Sequence, residues 1–582
     1  MVLETIADFA VDFFAGVSAN FASLPAEQLI IFDIAIILIV SAIFAFVAKM
    51  LKQPLIPVYV LAGLVIGPLV LGLVRNVSLV YAFSEIGIAF LLFFAGLEIS
   101  FKKIKEANLK KIVFIGILQI ALIFGVTLLL ANWLNLEVLQ AVYIGVILGF
   151  GSTMVDVKLL SDSGELVTMH GRLVLGILLL QDLVAIIAIA LFMAGSFTAV
   201  PIIIAVIKLL VILGIAVLLQ TFVLNRLFKF AARSTELLLL SALAVLFVFV
   251  VLTWVAELSI VIGAFIAGVS LANSPFKLEL ESRISPLRDF FAILFFVALG
   301  MQIVFNGIGA QINLLIFLLV GAIILKPIVT FLLLRIFAYR PKTSFLTSIT
   351  LAQLSEFSLI IGMLGFSLGI IDKPILSTII LATIVTMALT PYFVDYKKYL
   401  HKFFNKPINS FKFLPINEEV CYTDKKQKSI LLIGAHRMGS IVLKKLLKKS
   451  KDKLLVLDYN PEIISALVRK KVSCIYGDLG SIEVLNSIEL SKLKKIISTV
   501  PNFDDNIWLL RKAKGVNSGV QVIVTATRIS EAKELYDAGA DYVIMPKVLA
   551  GEEVLSVLTN GDLKKIRANH KKELDAVHRV LY

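Results

Sequence analysis

The sequence is poor in charge. Asp, Glu, Lys and Arg make up 16% of its 582 residues, against about 25% in soluble domains, and that deficit excludes a wholly water-soluble protein. Cysteine is scarcer still. Cys421 and Cys474 are the only two, and neither stands in a CxxC or Cys/His spacing, so no disulfide and no metal site is expected. No basic stretch opens the chain, and Asp8 and Asp12 interrupt its first turns, so a cleavable signal peptide is not expected. Segment 1–27 reads as a short amphipathic surface helix. The TVGYG filter of a potassium channel is missing, and no nucleophile–base constellation of an enzyme is apparent.

Hydrophobic residues are what the chain has, at 59%. They form successive runs from Leu29 to Val394, after which charge returns at soluble frequency. A crossing helix needs about 20 apolar residues. On that basis spans are expected near 28–48, 55–74, 83–99, 111–133, 138–160, 171–193, 201–224, 236–256, 258–274, 289–306, 313–338, 344–369 and 376–395. The organisation is then a 1–27 segment, a transmembrane domain over 28–395, a basic linker over 396–427, a nucleotide-binding domain over 428–546 and a tail over 547–582. The net charge of +14 does not call for nucleic acid, because the cations follow topology. Eighteen Lys and Arg between Lys49 and Lys342 fall in alternate loops, and the opposite loops hold only Arg75 and Lys373. That asymmetry places the rich loops and the C-terminal domain in the cytoplasm, and the N-terminus outside.

Two pairs of spans resemble each other at an offset of seven. IAFLLFFAGLEI (Ile88 to Ile99) pairs with FAILFFVALGMQI (Phe291 to Ile303). Spans 5 and 12 are both interrupted by small and polar residues, at Gly149 to Thr153 and at Gln353 to Glu356. An odd offset inverts the second copy, which is the inverted repeat of secondary transporters with broken helices at the substrate site. Few ionisable residues lie deep in these spans, and such residues default to function. Asp182, beside Gln181, is the first; Lys326 and Glu356 follow. A lone midplane carboxylate must be protonated, paired or cation-bound, so Asp182 can bind H⁺ and a metal ion in competition. Gln181 and the groups around Ser152 and Thr153 can replace part of the cation's water shell. A fixed Asp182–Lys326 ion pair is the plain structural alternative. Asp156 reads as a charge facing the inner aqueous funnel.

The soluble part opens with SILLIG and the turn Gly434-Ala435-His436-Arg437-Met438-Gly439, then a helical run and a second strand ending at Asp458. This is the strand–turn–helix–strand context of a dinucleotide fingerprint, with an acid for the ribose. His436 stands where the middle glycine belongs, which obstructs a pyrophosphate, although His436 and Arg437 are placed to meet phosphate. Further alternation, through the Gly477-Asp478 turn, predicts a six-stranded parallel sheet. An adenine nucleotide is the expected ligand.

Taken in order, LAGLVIGPLVLG (Leu61 to Gly72), FSEIGIAFLLFFAGLE (Phe83 to Glu98), Gln181-Asp182, GAFIAGVSLA (Gly263 to Ala272), LFFVALGM (Leu294 to Met301), Lys326 and Gln353…Glu356-Phe357 resemble the KefB/KefC potassium-efflux antiporters of the second monovalent cation:proton antiporter family. The resemblance runs from about Phe32 to about Pro546. It implies a homodimer with a moving core of spans 4–6 and 11–13, Asp182 as carrier of ion and proton, and K⁺ rather than Na⁺ as the partner of a Gln-Asp pair. It implies that the soluble part is a TrkA-N (regulator of potassium conductance) module binding AMP or NAD(H). Arg283 stands where the family's regulatory loop, here KLELESRISPL (Lys277 to Leu287), usually has an acid, so glutathione control does not carry over. The expected fold is an all-α polytopic membrane domain joined to an α/β Rossmann-like domain. A nucleotide-gated cation channel is the runner-up.

Overall fold

The computed structural model describes residues 26–51, 53–74, 77–98, 109–163, 165–166, 168–192, 199–232, 234–272, 274–404, 421–422, 427–477, 479, 484–485 and 488–559. It falls into two compact units, one helical and one built on a sheet.

The helical unit follows from its apolar runs, since a backbone in lipid must satisfy its own N–H and C=O groups. Its first half comprises α1 (Ala26–Met50), α2 (Leu55–Ile66), α3 (Val77–Glu98), α4 (Leu109–Leu130), α5 (Val138–Gly149), α6 (Thr153–Asp162) and α7 (Met169–Phe192). The second half runs through α8 (Ala199–Leu219), α9 (Asn225–Ala231), α10 (Thr235–Val255), α11 (Ile260–Leu271), α12 (Lys277–Met301), α13 (Ile312–Val320), α14 (Lys326–Ile336), α15 (Pro341–Thr350), α16 (Glu356–Ser367), α17 (Lys373–Asp395) and α18 (Lys397–Phe403). Among the described residues, nine helical stretches are long and apolar enough to cross a membrane, and four shorter apolar helices include α2, α11 and α16.

Glycine sets how closely these helices approach. A Cβ on Gly63 of α2 would lie 2.0 Å from Val297 O of α12, and one on Gly300 of α12 would lie 2.0 Å from Val60 O of α2. The α3–α11 contact repeats the arrangement: Gly96 meets Phe265 O at 2.4 Å, and Gly268 meets Phe93 O at 2.0 Å. In each case the glycine stands three residues after the carbonyl its partner meets. Small residues are what allow backbones to touch where the hydrophobic effect does not drive association. Exchanging the halves of the repeat converts the first contact into the second, so the two copies pack as equivalents. Phe90 stacks on Phe291 with ring centroids 4.7 Å apart, which joins the two segments whose sequences first suggested the repeat.

Two expectations are corrected here. Residues 277–287, read as a loop, form the first turns of α12 despite Pro286. Leu280 and Ile284, four apart, are fully buried, and Lys277 pairs with Glu281 at 3.5 Å. The apolar stripe outweighs the charges that suggested a loop. The 396–427 linker, in turn, contains α18 and a short strand, β1 (Cys421–Tyr422). Lys397 pairs with Glu165, whose carboxylate also meets His170 Nε2 at 3.2 Å. Burial alone would raise the Glu165 pKa, but hydrogen bonds from His170 and Lys397 bring it down to about 2.

The second unit adds β2 (Ile430–Ile433), β3 (Leu454–Asp458), β4 (Cys474–Tyr476), β5 (Lys495–Ser498), β6 (Gln521–Thr525) and β7 (Tyr542–Ile544). Its order is β1-β4-β3-β2-β5-β6-β7. The six strands from β2 onward are parallel, as expected, in the doubly wound order with the chain reversing direction beside β2. The unexpected seventh, β1, pairs antiparallel on the β4 edge. Alternate residues of β2 serve opposite faces: Leu431 and Ile433 join one core, and Leu432 the other. A strand covered on both sides reads as a continuous apolar run.

Candidate functional site

The two interrupted helices expected at spans 5 and 12 are present. Between α5 and α6 the chain is non-helical over Phe150 to Ser152, and between α15 and α16 over Leu351 to Ser355. Each following half-helix is capped by serine: Ser152 Oγ accepts from Val155 N, and Ser355 Oγ from Phe357 N. Each also carries a buried acid in its first turn, Asp156 and Glu356, where the positive end of the helix dipole favours negative charge.

Lys326 ties the breaks together. Its Nζ donates to Phe150 O at 2.6 Å and to Gln353 O at 2.8 Å, and the side chain is fully buried. Phe150 caps the C-terminal end of α5, and Gln353 lies just past the end of α15. The ammonium therefore sits at two negative helix ends. A five-residue π segment, Gly321–Leu325, precedes it and sets the register of α14. Gln353 continues the crossing: its Nε2 donates to Asp156 Oδ1 at 2.7 Å and to Ser152 O at 3.3 Å, while its Oε1 accepts from Thr390 at 2.9 Å. Ser358 Oγ donates to Ile147 O at 2.8 Å.

The Gln181-Asp182 pair of α7 faces this crossing. Asp182 is half-buried, and its Oδ2 accepts from Thr153 Oγ1 at 2.8 Å. Gln181 is fully buried, and its Oε1 accepts from Gly151 N at 2.9 Å. All of Asp182, Gln181, Ser152, Thr153, Lys326 and Glu356 thus collect around two helix breaks. One expectation is overturned. Asp156 has no exposure to an aqueous funnel, because the break at Phe150 to Ser152 starts a new half-helix and turns its first turn inward. Its Oδ2 is buried with no hydrogen-bond partner among the described residues. The fixed Asp182–Lys326 pair is not what Lys326 makes; its ammonium goes to the two carbonyls. Sequence reasoning passed over Gln119 and Thr330, both fully buried near the crossing. Gln119 is the one amide in the 22-residue α4, whose other polar residues are Lys110 and Lys111 at its start and Thr127; a neutral side chain in such a run is a weaker signal than the charge of Asp182.

In the sheet unit, Gly434 ends β2 with φ of +79°, and a Cβ there would meet Thr499 Oγ1 at 2.6 Å. A Cβ on Gly439 would lie 2.0 Å from Gly434 O. Glycine is thus required at the first and third fingerprint positions, for the turn and for close packing of the helix that follows, α19 (Arg437–Ser450). His436 is exposed and occupies the N-cap of α19, with Arg437 and Met438 in its first turn. Asp458 is turned inward. Its Oδ2 accepts from Ala435 N at 2.6 Å and its Oδ1 from Asn460 N at 2.7 Å. Burial raises the Asp458 pKa, and the bonds from Ala435 and Asn460 oppose that shift. Asp478 lies outside the described residues.

Residues 34–395 match the family described as sodium/hydrogen exchanger, transmembrane. The chain belongs to that family. Residues 430–546 of this exchanger match the TrkA-N domain. It is 28% identical over 491 residues to the glutathione-regulated potassium-efflux system protein KefC of Escherichia coli, across 83% of this chain and 77% of KefC. The KefB/KefC type read from the sequence therefore holds, and the protein is a membrane transporter. Among solved structures, the sodium proton antiporter MjNhaP1 of Methanocaldococcus jannaschii matches with 20% identity and a TM-score of 0.49, over 64% of this chain and 98% of that one. The TrkA-N domain of the Escherichia coli inner membrane protein ybaL matches with 24% identity and a TM-score of 0.22, over 23% of this chain and 99% of that one.

Proposed function

We propose that this exchanger trades K⁺ for H⁺ at Asp182, with Na⁺ as the alternative cation. The observation that carries the reading is the carboxylate of Asp182 held by Thr153 at the start of a half-helix, beside a crossing braced by Lys326. Proton and cation neutralise the same group, so they compete. If the core crosses between inward and outward states only when Asp182 is neutral, exchange is obligatory. Ser152, Thr153 and Gln181 would contribute oxygens to the dehydrated ion. Lys326 serves as the brace rather than as a second proton carrier, since its ammonium is committed to two backbone carbonyls. One carboxylate then exchanges one positive charge for another, and transport is electroneutral. Thirteen crossings, an outside N-terminus, a cytoplasmic sheet unit and a homodimer in the cell membrane complete the reading. A channel would need a selectivity filter that the sequence does not supply.

The sheet unit is proposed to bind an adenine nucleotide and to alter transport. Gly434, His436, Arg437, Met438 and Gly439 would take the phosphate at the N-terminus of α19, and His436 favours AMP over NAD(H). Both Asp458 oxygens already accept backbone N–H groups, so a ribose hydroxyl would use their remaining lone pairs. Asp478 is the further candidate. Asp182→Asn in proteoliposomes tests the transport reading. Loss of K⁺-driven proton flux with a folded protein is expected; near-normal flux would refute it.

A further inference from the structure

A chain of four hydrogen bonds links the first helix break to the backbone of Lys326, and its direction is fixed at both ends. Gly151 N can only donate, and it donates to Gln181 Oε1 at 2.9 Å. Gln181 must therefore turn its Nε2 away, and it donates to Gln119 Oε1 at 3.2 Å. Gln119 Nε2 then donates to Thr330 Oγ1 at 2.9 Å. Thr330 Oγ1 donates to Lys326 O at 2.7 Å, a carbonyl that can only accept. Every side chain in the chain is fully buried. Because Lys326 Nζ bonds Phe150 O, next to Gly151, the chain closes a ring through α5, α7, α4 and α14.

The ring decides which end of the Gln181 amide lies at the break. A flipped amide would set its NH₂ against Gly151 N–H and its oxygen against the Gln119 oxygen, losing two buried hydrogen bonds and opposing like dipoles. The position of Gln119 has its own logic in the repeat. Leu118-Gln119 and Leu325-Lys326 both follow isoleucine and lie 207 residues apart, close to the 205, 204 and 203 that separate Gly63 from Gly268, Gly96 from Gly300 and Ser152 from Ser355. Gln119 is the neutral counterpart of Lys326 in the first copy.

We infer that Gln119 is a positioning residue for cation discrimination: through Gln181 it keeps an oxygen, and not an amide NH₂, at the first helix break beside the Asp182–Thr153 pair. This rests on the reading of Asp182 as the carrier. K⁺ and Na⁺ differ in the separation at which oxygens best replace their water, so an oxygen free to move discriminates less. Gln119→Met removes the acceptor for Gln181 at similar length, and Thr330→Val removes only the hydroxyl that orients Gln119.

The test is K⁺- and Na⁺-driven proton flux of the full chain in proteoliposomes, with KM and maximal rate for each ion. Gln119→Met is expected to change the ratio of the two KM values by about five-fold, the worth of one hydrogen bond, with a smaller change in maximal rate. Thr330→Val changes the ratio in the same direction by less. The double variant is expected to match Gln119→Met, because the residues act in one chain. Equal shifts for both ions, unchanged KM values, or additive effects in the double variant would overturn the inference. Should Gln119→Met fail to fold, an unaltered ratio in Thr330→Val overturns it alone. An inactive Asp182→Asn with an unaltered Gln119→Met sinks this inference and leaves the carrier reading standing; an active Asp182→Asn sinks the carrier reading itself.

Discussion

The helix crossing of the membrane unit and the glycine turn of the sheet unit both bring backbone ends together, and they do so with opposite means. At the crossing, a charged side chain, Lys326, reaches two carbonyls that no helix satisfies. At the turn, the absence of side chains at Gly434 and Gly439 lets backbone meet backbone, and Asp458 supplies the acceptors for two buried backbone N–H groups. In lipid there is no water to satisfy a broken helix, so the cost falls on a few buried polar residues. Beside water the same task needs shape more than charge. The difference explains why a lone polar residue is informative in one unit and only spacing is informative in the other.

The comparison breaks first at Lys326. Lys326→Met leaves the Phe150 and Gln353 carbonyls without their donor in a buried site, and is expected to cost the membrane unit about 3 kcal/mol or more. Thermal unfolding in detergent reads this as a large fall in midpoint, whereas Asp182→Asn leaves the midpoint little changed. Equal falls would mean that Lys326 and Asp182 share one structural role. Gly439→Ala sharpens the other side with a smaller effect. Its Cβ would press on Gly434 O, a backbone atom that gives only if the turn moves. AMP binding to the full chain is expected in calorimetry and is expected to be lost in this variant. Retained binding would place the ligand elsewhere than at the turn.

How much was legible in sequence follows the same division. Asp182, Lys326 and Glu356 were visible because a charge in an apolar run has few explanations, and the structure gathers them at the breaks. Gln119 and Thr330 were not, because a neutral amide or hydroxyl in such a run is common and its partner lies on another helix. Asp156 was misplaced for a different reason. Hydropathy sees 138–160 as one span whose end meets water, and it does not see that the break at Phe150 folds the second half back under Gln353. In the sheet unit the parallel strands were read correctly from apolar runs. The Asp458 contacts to Ala435 and Asn460 were hidden, since a motif gives a residue's place and not which partner it prefers. The first turns of α12 were lost to their charges and Pro286, although Leu280 and Ile284 already carried the helical period.

The central claim is that proton and cation share Asp182. Its most direct test is the apparent KM for K⁺ in proteoliposomes, measured from initial proton flux over a series of pH values. Competition at one carboxylate predicts a KM that rises about tenfold per unit of falling pH below the carrier's pKa, with the maximal rate unchanged. A KM independent of pH, with only the maximal rate falling, would contradict it.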